Sequence, residues 1–157
     1  MAMLGRLKDL LENQRIPYEV LTHSEMFTAQ EIAAACHIAG KEMAKVVIVK
    51  DRNRFVMAVL PASWRLDLRK LKEVLGSPDV RLAAESEFKA LFPDCAPGAE
   101  PPFGNLYKLD VYVDRSLTED KKIYFNAGNH FETVGMPYPD FDRLVKPRVA
   151  EFAVHLH

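Results

Sequence analysis

Two features of this 157-residue chain have residue types and spacing suited to chemistry. One is Lys45, which opens the apolar run Ala44-Lys45-Val46-Val47-Ile48-Val49. A lysine there either snorkels out at the strand end or meets an anion. The other is the loop Gly98-Ala99-Glu100-Pro101-Pro102-Phe103-Gly104. Prolines fix φ and remove donors, while glycines permit positive φ and close backbone approach. Such a loop is stiff, and its remaining N–H and C=O groups point in fixed directions. It serves either as a backbone wall that discriminates small ligands or as an ordered crossover. His23, His37 and His130 are available as bases, and Cys36 and Cys95 as nucleophiles. Neither cysteine belongs to a Cys-x-x-Cys pair, and no His-x-x-x-His pair, phosphate loop, dinucleotide fingerprint or Gly-x-Ser-x-Gly elbow occurs. His155 and His157 stand two apart at the chain end and read as a tail rather than a metal pair. No metal and no cofactor is expected.

Composition narrows the class. Hydrophobic residues make up 48% and charged residues 27%, with 7 glycines and 10 prolines, which excludes disordered and collagen-like chains. No apolar run reaches the length of a membrane span, and charges arrive at once in Met-Ala-Met-Leu-Gly-Arg-Leu-Lys-Asp, so neither a membrane partner nor a secretory signal is expected. Two unpaired thiols fit a reducing compartment, and the expected location is the cytoplasm. The net charge of -1 argues against a protein that coats nucleic acid. The charge is uneven, however. Lys41–Lys72 holds nine Lys/Arg against three Asp/Glu, and Asp79–Asp120 holds nine acids against four bases. This is either a small basic face on a neutral body or a solvated helix and hairpin tip.

The elements that must position these groups follow from periodicity. Apolar residues at 4, 7, 10 and 11 predict a helix from Leu4 to Asn13, ended before Pro17. Tyr18–Leu21 reads as a strand. Thr28 and Glu31 form a capping box that opens an alanine-rich helix expected to stop near Gly40. Ala44–Val49 and Phe55–Leu60 read as a hairpin. Asp67 caps a helix through Leu75, closed by Gly76. Val80–Ala83 reads as a strand and Glu85–Phe92 as a short helix. Strands are expected at Leu106–Val113, Lys122–Asn126, Phe131–Val134 and Val149–Val154, with a helical turn at Asp140–Val145. About seven strands and four helices, with hairpins among them, favour one mixed α/β (α+β) domain over residues 1–157 with a curved central sheet.

The ordered set His23, Ala29 and Glu31, Gly40-Lys41, Ala44-Lys45, Pro61, Gly98-x-x-x-Pro102-Phe103-Gly104 and Phe125-Asn126-Ala127-Gly128 resembles the YbaK family, relatives of the editing domain inserted in bacterial prolyl-tRNA synthetases. The resemblance spans about residues 16 to 150. It implies a strongly bent, barrel-like mixed sheet flanked by helices. It also implies an aminoacyl-tRNA deacylase acting in trans on a small wrong amino acid, with alanine on proline tRNA as the first choice. The implied partners are mischarged tRNA at its acceptor end and an aminoacyl-tRNA synthetase.

Site roles follow from the resemblance in the same way. Lys45 would meet the phosphate near the terminal adenosine. Gly98 to Pro102, with Ala99 inside it and Phe103 and Gly104 after it, would hold the aminoacyl end and help place the attacking water, with the substrate's ribose hydroxyl assisting. Asn126 and Gly128 close the motif. His130 is either a contact to the amino group or a water, or a hydrogen-bonded strand-end histidine. His23 is pocket-lining or structural. Met26, Phe27 and Val46 would shape the amino-acid pocket, and Val46 stands where the family often has a small polar residue such as Thr or Asn. Two other readings remain: a binding module of the same fold without turnover, and a thiol hydrolase using Cys95.

Overall fold

The computed structural model describes residues 3–155, so His157 lies outside the described residues. Those residues form five α-helices and ten strands. Helix α1 (Gly5–Asn13) buries Leu7 and Leu11, the inward pair of the predicted stripe. Strand β1 (Glu19–Thr22) follows. Helix α2 (Ala29–Ala35) opens with the expected capping box: Thr28 Oγ1 accepts the Glu31 N–H at 3.1 Å, and Glu31 Oε1 accepts the Thr28 N–H at 3.3 Å. The helix ends well before Gly40. His37 takes a positive φ of 57°, so the left-handed residue that terminates it is a histidine rather than the glycine.

Strands β2 (Ala44–Asp51) and β3 (Arg54–Pro61) make the predicted antiparallel hairpin, with Lys45 opposite Leu60. The five-stranded sheet runs β5 (Val80–Leu82), β2, β3, β6 (Asp110–Asp114), β9 (Arg148–Ala150). Its β3–β6 and β6–β9 pairs are parallel and the others antiparallel. A three-stranded antiparallel sheet runs β1, β8 (Glu132–Pro137), β7 (Lys122–Asn126). A two-stranded ribbon pairs β4 (Trp64–Leu66) with β10 (Ala153–His155), where the His155 ring meets Trp64 edge-on at 5.3 Å. The mixed α/β class stands, but the barrel-like closure does not. The three sheets are open and separate. The two larger ones touch through a single parallel bridge, Met43 with Tyr124, because β2 goes on to pair with β3 and β5 while β7 pairs with β8.

Side-chain alternation splits the hairpin between two cores. Ala44, Ile48, Met57 and Val59 face the larger core, with Phe103, Phe125, Phe141 and the buried leucines of α1. That core is closed by α5 (Tyr138–Val145). Val49, Val56, Ala58 and Leu60 face the other core, covered by Leu71 of α3 (Leu68–Leu75) and by Phe152. Asp67 caps α3 by accepting the N–H groups of Arg69 and Lys70, and Gly76 closes it at φ 64°. A third cluster joins Ile32 and Ala33 of α2 to Met43 and Ala62.

Three local predictions differ in detail. The residues 85–92 helix is shorter, α4 (Glu85–Phe88), followed by a 3₁₀ turn at Lys89–Leu91. The strand predicted from Leu106 begins at Asp110, since Gly104–Tyr107 is a 3₁₀ turn ended by Lys108 in the left-handed region. The last predicted strand is broken in two by Asp114. Its Oδ1 accepts the N–H groups of Phe152 and Ala153 at 2.9 and 3.0 Å, and its Oδ2 accepts that of Ser116 at 3.1 Å. Those bonds step the chain out of the large sheet after β9 and into the ribbon with β4. Asp114 is 2% exposed, and its Oδ2 also accepts the Ser116 hydroxyl, so removing its carboxylate strands four buried donors. Asp114→Ala is expected to cost about 3 kcal/mol of stability, read as a lowered urea midpoint at unchanged m-value.

Candidate functional site

The Gly-Pro loop is held by backbone and side-chain bonds on every side. Gly128 donates its N–H to Ala99 O at 3.0 Å and accepts one from Ala96 at 2.9 Å. Gly98 sits at φ 84° and Gly128 at φ 93°, where a β-carbon is disfavoured. Ala99 donates to Ala96 O at 3.0 Å, closing the turn that carries Gly98. Glu100 is 6% exposed, and its Oε2 accepts the Gly98 N–H at 3.1 Å. Burial holds the Glu100 carboxyl above the ordinary glutamate range, opposed by the N–H groups it accepts. The N–H groups of Gly98 and Ala99 are thus already used within the loop, and Pro101 and Pro102 have none.

His130 ties the other side. Its Nε2 lies 2.8 Å from Pro97 O. A carbonyl only accepts, so Nε2 carries a hydrogen and, in the neutral ring, Nδ1 presents a lone pair. That Nδ1 is buried with no hydrogen-bond partner, as is Asn126 Oδ1. A β-carbon on Gly98 would lie 3.6 Å from His130 Cε1, which sets the ring directly against the loop. The turn carrying His130 is built by Asn129, whose Oδ1 accepts the N–H groups of Phe131 and Glu132 at 2.8 and 2.9 Å.

Lys45 stands half-buried on β2. Among the described residues it has no carboxylate within ion-pair distance and no hydrogen-bond partner, unlike Lys41, Lys50, Arg54 and Arg81, which all pair with acids. Burial lowers its pKa below the ordinary lysine value. The Met43–Tyr124 bridge is parallel, so two residues on in each chain stand Lys45 and Asn126. By alternation both leave on the face of Met43 and Tyr124. An unpaired ammonium and an unpaired amide oxygen therefore share one face.

Other predicted residues fall into place around this core or away from it. His23 uses both ring nitrogens inside the fold: Nδ1 lies 2.8 Å from Ser24 O and Nε2 3.0 Å from Thr133 Oγ1. Met26 packs against the cluster of Ile32, Ala33, Met43 and Ala62, as Ala29 and Tyr124 do, and its N–H donates to His130 O at 3.1 Å. Phe27 lies against His130 with ring centroids 4.8 Å apart. Three expected contacts are turned elsewhere. Val46 faces the larger core, on the opposite side of β2 from Lys45. Phe103 is fully buried against Phe125 and Phe141. Gly104 starts a 3₁₀ turn so close to β6 that a β-carbon would sit 2.6 Å from Val111 Cγ2, so its smallness serves packing. Gly128 likewise abuts Leu4 ahead of α1. Sequence reasoning missed Glu100, Asn129 and Thr133. The signals were a lone acid in a proline-glycine loop and an asparagine two residues before a strand.

Cys95 belongs to a structural network. Its Sγ is 3.2 Å from Tyr107 OH, which donates to Asp94 Oδ1 at 3.1 Å, and Asp94 Oδ2 pairs with Arg6 of α1 at 2.6 Å. Burial and the Asp94 carboxylate push the thiol up to about 11, partly offset by the Tyr107 hydrogen bond. A surface hollow of about 520 Å3 lies at the β2–β3 turn beside Arg52 and Arg81, and neither Lys45 nor the Gly98–Pro102 loop lines it. Among the described residues no helix is long and apolar enough to cross a membrane.

Known proteins share both this sequence pattern and this fold. The family model for the aminoacyl-tRNA editing domain matches residues 23–144. The proline–tRNA ligase of Macrococcus caseolyticus is 29% identical over 124 residues, covering 73% of this chain and 22% of the ligase. That of Thiobacillus denitrificans is 35% identical over 91 residues, covering 57% of this chain and 16% of the ligase. The chain thus spans about a fifth of the length of these relatives. The fold matches a hypothetical protein of known structure at a TM-score of 0.85 and 24% identity, covering 95% of this chain and 99% of that one. It matches a candidate trans-editing enzyme for prolyl tRNA synthetase at 0.79 and 23%, covering 94% of both chains. With more than half of the chain matched, including Lys45, the Gly98–Pro102 loop and His130, this protein belongs to the aminoacyl-tRNA editing domain family.

Proposed function

We propose that this protein hydrolyses, in trans, the ester that joins a wrong small amino acid to its tRNA, with alanine on proline tRNA as the preferred substrate. The observation that carries the reading is the unpaired, half-buried ammonium of Lys45 on the same face as the orphaned Asn126 oxygen. A cation held without a carboxylate is a place for an anion, and a phosphate near the tRNA terminus supplies one. Family membership and the prolyl-tRNA ligase relatives support the substrate class.

The reaction needs little from side chains. A water oxygen attacks the ester carbonyl carbon, the C–O bond to the ribose breaks, and the ribose oxygen leaves with a proton, assisted by the neighbouring ribose hydroxyl. An ester is already activated, so positioning carries most of the rate. The Gly98–Pro102 loop acts as a fixed wall, since its Gly98 and Ala99 donors are committed to Glu100 and Ala96. His130 Nδ1 and Asn126 Oδ1 are buried acceptors in want of a donor, which suits the attacking water or the substrate's ammonium group. A rigid wall excludes the larger correct amino acid and admits the smaller wrong one, the second sieve of editing. Because those loop donors are committed, a competing reading is favoured by the same observation: a module that binds aminoacyl ends without turnover.

Deacylation of Ala-, Cys-, Ser-, Thr- and Pro-tRNA by the wild type and Lys45→Ala separates these readings. Rapid loss of one small amino acid, sparing Pro-tRNA and reduced at least 100-fold in Lys45→Ala at unchanged Tm, is the expected result. Gly98→Val should match that loss through strained backbone and contact with His130. Turnover at wild-type rates in Lys45→Ala would sink the role of the lysine. Absence of turnover on every tRNA with binding retained would establish the module.

The thiol-hydrolase reading has its own test. A thiol at about 11 holds roughly 100-fold less thiolate near neutral pH than an ordinary cysteine. Iodoacetamide at pH 7.5 should therefore modify Cys36 well before Cys95, measured by peptide mass spectrometry, and deacylation should survive the treatment.

A further inference from the structure

We infer that Phe27 is the platform on which the terminal nucleobase of the substrate stacks, an inference that rests on the deacylase reading and assigns its nucleoside subsite. Phe27 is 63% exposed, the most exposed large hydrophobic side chain among the described residues. Its place in the sequence makes that exposure unexpected. It directly precedes the N-cap Thr28 of α2, where an apolar residue ordinarily staples onto the fourth helical residue, here Ile32. Ile32 is instead buried in the cluster with Ala33, Met43 and Ala62, and Met26 packs there in place of Phe27. The phenylalanine ring is left outside the fold's own packing.

Its position is nevertheless fixed. Met26 N–H is bonded to His130 O on one side, and the Thr28–Glu31 capping box holds the other. The only ring partner among the described residues is His130, tilted 52° at 4.8 Å, and the imidazole is itself anchored to Pro97 O. The aromatic surface is thus pre-set beside the loop proposed to hold the aminoacyl end. Lys45 belongs to the same neighbourhood, since Met26 packs against the cluster that holds Met43, and Lys45 lies two residues beyond Met43 on the same face of the chain. Phosphate, base and amino acid of one aminoacyl-nucleotide then have three separate handles: Lys45, Phe27 and the Gly98–Pro102 loop. A ring this exposed makes a poor wall for a small amino-acid pocket and a good surface for a planar base. Stacking of this kind requires no hydrogen-bond code and is worth about a 5- to 150-fold change in affinity, from about 1–3 kcal/mol per base.

The test uses adenosine 5′-monophosphate and an amide-linked 3′-alanylamino-adenosine as probes, with wild type, Phe27→Ala and Phe27→Trp. The expected result is that Phe27→Ala weakens both probes about 5- to 150-fold and raises KM for deacylation more than it lowers kcat. Phe27→Trp should keep the affinity, and the emission of the new indole should be quenched by the bound base. Three results would overturn the platform: no binding of either probe by the wild type at millimolar concentration, affinity unchanged in Phe27→Ala, or a changed preference between alanine and serine esters at constant nucleotide affinity. Phe27-dependent nucleotide binding in a protein that deacylates no tRNA would instead keep the platform and refute the deacylase reading.

Discussion

Gly128 exchanges two backbone hydrogen bonds with the Ala96–Ala99 turn, and the candidate site depends on that exchange. Neither segment has a helix or strand to hold it, so each serves as the other's scaffold. The remaining ties converge on the same place. Pro97 O takes the His130 ring, Glu100 takes the Gly98 N–H, and Leu4 ahead of α1 donates its N–H to Ala127 O at 2.8 Å. From the far side, Arg6 reaches Asp94 and stacks over the Tyr107 ring at 4.8 Å, so α1 braces both ends of the loop region. A loop with two prolines and two committed N–H groups has few other shapes available. Such rigidity suits discrimination by exclusion, because a soft wall would yield to one extra methylene group.

Lys45 poses the complementary problem. It stands in a strand whose next residues, Val46 to Val49, serve both cores, and its cross-strand neighbour Leu60 is fully buried. Partial burial disfavours the ammonium, and among the described residues no carboxylate relieves it. Lys50, Arg54 and Arg81, on the hairpin and the strand beside it, are matched by Glu87, Asp51 and Asp110. An unmatched cation in a partly dry place keeps its attraction for an incoming anion, since no resident partner must first be displaced.

Much of the architecture was legible locally. The capping box at Thr28, the Asp67 cap with Gly76, the β2–β3 hairpin and the apolar stripe of α1 follow from residue order alone, and all of them form. These features depend on neighbours within a few positions. The misplaced features depend on distant ones. The short ribbon strand β4 exists because β10 arrives beside it, and β10 exists because Asp114, 38 positions before Phe152, captures the chain there. Barrel closure failed for a similar reason. Whether two sheets fuse depends on strand partners chosen across the molecule, and one Met43–Tyr124 bridge does not propagate.

At the site the same division holds. Residue type and spacing alone single out a lysine at a strand head and a stiff Gly98–Pro102 loop, while Asn126, Gly128 and His130 join the site only through the family resemblance. Which side chains meet was decided by the tertiary structure. It turned Phe103 and Val46 into the larger core, put both His23 nitrogens to structural use, buried Glu100 as the brace of the loop and left Phe27 facing solvent. The reason is physical. Local sequence sets backbone preference over a few residues, whereas the face a side chain takes, and whether its polar atoms find partners, is set by elements that arrive from far along the chain.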